Sequence, residues 1–161
     1  LQIKEKKMSA STYLENSLLD HSLGEGLRNF TSPTLYVALF AGPASDVSQA
    51  LEDGDMNNTA GNWGNYEINT GGYQRQSIRF AAASGGSAAS NITVNFPQAT
   101  ANYNNPAGSG STVTYVAIVD QLDDGSSTSE VIYYGALTNP KEILSADTMS
   151  IASGSLTVSL A

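Results

Sequence analysis

One short helical signature near the N-terminus, followed by a chain that reads almost wholly as β-strand, constrains this protein most. Thr12 and Glu15 have the spacing of a capping box, in which each side chain satisfies a backbone donor that the helix leaves orphaned. Leu14, Leu18, Leu19 and Leu23 form an apolar stripe at helical spacing. Gly24 and Gly26 stand where a left-handed cap ends such a helix. The spacing predicts a helix over 12–23. Three turns are not stable alone, so the Leu14, Leu18 and Leu19 face is expected to be buried, against a β body or another subunit.

From residue 34 onward the chain changes period. Residues 34–40 (TLYVALF) are nearly continuously apolar, as in a strand buried on both faces at the middle of a sheet. Gly42-Pro43 is expected to end it. Residues 44–72 are acidic and turn-rich, and read as a functional loop or as missed short strands. Trp63 and Tyr66 are expected to pin that stretch. Residues 73–80 alternate, with Tyr73, Ser77 and Arg79 on one face and Gln74, Ile78 and Phe80 on the other. Residues 81–90 read as small and flexible. Residues 91–96 are a further strand, stopped by Pro97, and 102–110 a loop. Residues 112–119 (TVTYVAIV) and 130–137 (EVIYYGAL) are strongly apolar strands, the second closed by Asn139-Pro140. Between them, 120–129 is an acidic turn region with Asp123-Asp124-Gly125 at its tip. Segments 148–151 and 155–160, joined by Ser153-Gly154, have the form of a hairpin. About seven or eight short strands behind one helix point to a mainly β fold, an antiparallel β-sandwich or jelly-roll-like single domain. Neither heptads nor longer repeats are visible, so a long fibrous shaft is not expected from this chain.

The expected organisation is an N-terminal arm over 1–11 and one sandwich domain over 12–161, with its helix at 12–23. At 161 residues the chain is long enough to bury a core. The segment Leu1-Gln2-Ile3-Lys4-Glu5-Lys6-Lys7 carries three of the seven basic residues. It reads either as a basic arm reaching a neighbouring subunit or as a translated ribosome-binding site ahead of a true start at Met8.

Charge narrows the function. Charged residues make up 14% of the chain, against about 25% in ordinary domains. The net charge is −8. A nucleic-acid partner needs clustered Lys and Arg to displace counterions, and an anionic membrane surface needs them too. Neither partner is expected. With no cysteine, disulfides and thiolate metal sites are ruled out. No apolar run approaches a membrane span, and the N-terminus lacks the apolar stretch of a signal peptide.

The chemistry-bearing residues form no catalytic pattern. His21 is the single histidine, beside Asp20 and Ser22. Sequence neighbours on a helix do not face one another, so a packed or surface histidine is the better reading. Asp53-Gly54-Asp55-Met56-Asn57 begins like a calcium loop. The glycine and glutamate an EF-hand needs at its sixth and twelfth positions are here Asn58 and Gly64. Asp120, Asp123 and Asp124 read as a solvated turn. Gly71-Gly72 and Gly85-Gly86 lack the residues of a phosphate cradle. The expectation is no catalytic residue, no metal site and no cofactor. The eight tyrosines, against four phenylalanines, fit an interface or a sheet surface equally.

Three ordered segments carry a resemblance. They are Tyr13-Leu14-Glu15-Asn16 with Leu18-Leu19-Asp20-His21 and Leu23-Gly24; Pro33-Thr34-Leu35-Tyr36-Val37-Ala38-Leu39-Phe40; and Gly71-Gly72-Tyr73-Gln74-Arg75-Gln76. Together they resemble a family of small tailed-phage virion proteins described as phage tail fibre proteins. Tyr133-Tyr134-Gly135-Ala136-Leu137 and Leu156-Thr157-Val158-Ser159-Leu160 fit as well, so the likeness runs over roughly 11–161. Stretches 42–69 and 102–110 look like insertions. The resemblance implies a virion protein made in the host cytoplasm, with no catalytic residues to carry over. Its partners would be other virion proteins, capsid or tail subunits, and further copies of itself in a homo-oligomer. Compactness, acidity and the missing shaft favour a non-enzymatic capsid decoration or cement subunit. The alternative is a tail-fibre or tail-associated subunit. A further alternative is a carbohydrate-binding β-sandwich, with Trp63, Tyr66 or Tyr103 as a stacking platform beside the acidic loop.

Overall fold

A computed structural model describes residues 8–23, 34–53, 63–122 and 129–159. In chain order the elements are β1 (Ser9–Ala10), α1 (Thr12–Leu23), β2 (Leu35–Ala41), α2 (Ala44–Asp53), a 3-10 turn (Trp63–Asn65), β3 (Gln76–Ile78), β4 (Ser87–Ala89), β5 (Val94–Asn95), β6 (Thr112–Val119), β7 (Val131–Glu142), β8 (Ser150–Ile151) and β9 (Thr157–Ser159). The molecule is mainly β, and its strands pair antiparallel in the sandwich arrangement that the pattern predicted.

The central sheet has five strands in the order β1-β7-β6-β2-β3. The continuous apolar runs take its inner positions, β2 between β6 and β3, β6 between β7 and β2. Both faces of these strands are covered. Val37, Leu39, Ala41, Val113, Val116 and Ile118 point into the main core, against Ile68, Tyr73, Phe96, Tyr103, Ile143, Ile151 and Leu156. That second layer is built from loops and two short sheets, β4-β9 and β5-β8. On the opposite face Ala38, Phe40, Ala117, Val119 and Val131 pack against Val47, Ala50 and Leu51 of α2. Side chains alternate across a strand, so one apolar run supplies both cores.

Helix α2 corrects the reading of 44–72 as irregular. Gly42-Pro43 ends the strand and also starts the helix: the Pro43 carbonyl accepts the Asp46 and Val47 amides at 3.1 and 3.0 Å. Val47, Ala50 and Leu51 then make a narrow stripe at i, i+3, i+4, which the surrounding polar residues obscure in the sequence. Gly42 is required at the junction. Its φ is +143°, and a Cβ there would stand 3.0 Å from the Tyr66 ring and 3.1 Å from Val47.

Helix α1 has the expected bounds and a different cap. Ser11, not Thr12, is the N-cap: its carbonyl accepts the Glu15 amide at 3.0 Å and its Oγ accepts the Leu14 amide at 3.3 Å. The expected burial of Leu14, Leu18 and Leu19 holds for Leu14 alone among the described side chains. Leu18 is 36% exposed and Leu23 74%. The Leu19 side chain lies outside the described residues. The helix meets the body at the sheet's outer edge, where Leu14 of its first turn faces inward.

Four further expectations are revised. β8 and β9 form no hairpin together; β8 pairs with β5 and β9 with β4. β7 does not stop at Asn139-Pro140 but runs on to Glu142. Its pairing with β6 jumps from Tyr115↔Ala136 to Val113↔Lys141, and the intervening bulge takes up Pro140, which cannot donate to a ladder. In 73–80 only Gln76–Ile78 is strand, because Tyr73, Arg75 and Ile78 all point inward and break the alternation. Segment 81–90, read as flexible, contains β4 and a turn closed by paired bonds between Ser84 and Ser87 at 2.9 and 3.1 Å. Residues 32–33 and 54–62, with the turn and acidic loop assigned to them, lie outside the described residues, as do 123–128.

Candidate functional site

Two polar nodes stand out, one inside the body and one where α1 meets it. The interior node begins with Glu67, which bridges Phe40 on the flank of β2. Its two carboxylate oxygens accept Arg75 Nε and Nη2, each at 2.7 Å. Arg75 Nη1 also donates to the Gln121 carbonyl at 2.8 Å and to Ser129 Oγ at 3.0 Å. Tyr73 donates its hydroxyl to Glu67 at 3.1 Å and accepts the Leu39 amide at 3.0 Å. Glu67 and Arg75 are 2% and 3% exposed. Burial, then the Glu67 charge, raises the Tyr73 phenol well above its ordinary range, so it stays a donor. An ion pair this enclosed offers no free lone pair or proton to a substrate. It braces: one guanidinium ties the 67–75 segment to both ends of the β6–β7 connection.

The second node is built on the N-terminal edge. β1 pairs with β7 in the register Ser9↔Tyr134, Ala10↔Tyr133. Ser11 continues the pairing, its amide donating to the Ile132 carbonyl at 3.2 Å and its hydroxyl to the Val131 carbonyl at 2.6 Å. Met8 is buried and bridges Val158 in parallel, joining this edge to the second layer. Residues 8–11, assigned to an arm by the sequence, are therefore part of the sheet. Next to them, Glu52 at the end of α2 accepts the Tyr134 hydroxyl on one carboxylate oxygen and Thr12 Oγ1 at 3.4 Å on the other. Burial and the Glu52 carboxylate push the Tyr134 phenol far up, which keeps it protonated and donating. Tyr36, Tyr66 and Tyr115 join Tyr134 around the α2 core, partly buried. The tyrosines on this face thus serve the sheet and its helices.

The other sequence candidates are not brought together. Tyr103 is 1% exposed and packs edge-on against Tyr73 at 5.8 Å, so it is no stacking platform. Tyr66 is half-buried over Gly42. The side chains of Trp63, His21, Asp20 and Asp53 lie outside the described residues. Asp120 spends a carboxylate oxygen on the Glu130 amide at 2.8 Å, across the base of the turn. Gly71 and Gly72 form a turn; a Cβ on Gly71 would collide with the Ala101 carbonyl. Among the described residues no three His, Asp or Glu side chains gather in a group able to hold a metal. No described helix is long and apolar enough to cross a membrane. Sequence reasoning missed Glu67, Arg75 and Ser11. The signal for the first two was an isolated Arg and an isolated Glu in otherwise apolar or turn-rich surroundings.

No curated protein matches the chain. The model of one family, described as "Podophage GP4 fiber I protein gp80", matches residues 9–159, from β1 to the last residue of β9. This chain belongs to that family and is a phage-fibre-type protein of the virion, which implies association with other virion components.

Proposed function

We propose that the protein is a non-enzymatic structural subunit of a phage tail fibre or of the tail parts joined to it. The observation that carries this is the extent of the family match, which spans the whole described fold and not one short motif. The physical character of the body agrees. Its interior is tied by a buried ion pair, and the acidic nodes are occupied by internal donors. A part that transmits force or holds a fixed geometry needs such bracing. The capsid-decoration reading, favoured by composition, gains no specific support, and the tail-fibre alternative replaces it. The carbohydrate platform loses Tyr103 to the core.

Imaging of virions carrying a tagged copy tests the assignment. Label on the tail is the expected result. Label distributed over the head would overturn it and restore the decoration reading.

A further inference from the structure

We draw no further inference here: the strongest candidate, the outward apolar patch of α1 at Leu18 and Leu23, carries nothing because nothing in the structure shows what covers it.

Discussion

Glu67 and Glu52 are both carboxylates that accept a tyrosine hydroxyl, yet they do different work. Glu67 is sealed in the body, holds a bidentate arginine and reaches β2 through Tyr73. Glu52 is half-buried at the edge, and its donors are the hydroxyls of Tyr134 and Thr12. The first arrangement cannot be opened without burying an unpaired charge. The second exchanges its hydrogen bonds with water at modest cost. The interior node fixes the body; the edge node is a latch on the N-terminal segment.

The largest effect should come from breaking the interior pair on one side. Arg75→Met leaves the Glu67 carboxylate buried and unpaired, and should cost about 3–5 kcal/mol, read as a lower urea midpoint. The double change Glu67→Leu with Arg75→Met should recover most of that loss, because two buried charges go together. Recovery no better than the single variant would show that the node's value lies in its hydrogen bonds to Gln121 and Ser129.

At the edge the effects should be smaller and local. Ser11→Ala removes the α1 cap and the bond to Val131, for about 1–2 kcal/mol. Hydrogen exchange should speed up in α1 while β2 and β6 stay protected. Uniform loss of protection would mean that the segment and body fold as one unit.

Tyr134→Phe should cost about 1 kcal/mol at neutral pH. It also tests an alkaline limb. The folded-state phenols of Tyr73 and Tyr134 are raised, so the unfolded chain loses these protons first as pH climbs. Their contribution is fully present below about pH 10 and is lost above it. Stability should fall in that range, and less steeply in Tyr134→Phe.

The smallest effect is expected at Leu18. The stripe in the sequence makes Leu18→Asp look fatal, but at 36% exposure the change should stay within about 0.5 kcal/mol by thermal melting of the unassembled protein. A large loss would place Leu18 against a covering surface.

Much of the architecture was legible because it rests on local pattern. The runs at β2 and β6 declare two-sided burial, and the leucine spacing marks α1, although its N-cap is Ser11 and not Thr12. The β8–β9 hairpin reading failed because a tight turn at Ser153-Gly154 says that the chain reverses, not that the arms pair; β5 and β4 compete for them from far along the chain. Pro140 failed as a terminator because a bulge removed the need for its amide hydrogen. α2 escaped because Val47, Ala50 and Leu51 are few, and become a face only when the sheet is beneath them. Within the candidate site Tyr134 was visible as part of a strand, but its bond to Glu52 joins residues remote in sequence.

By itself the sequence determined the mainly β character, the inner strands and the helix at 12–23, because alternation and capping act between near neighbours. Only the tertiary structure decided that Arg75 turns inward to Glu67, that Tyr103 belongs to the core, and that the first described residues close the sheet's edge. Each of those depends on which distant segment arrives alongside, and burial fixes a polar or aromatic side chain's role only after that partner is in place.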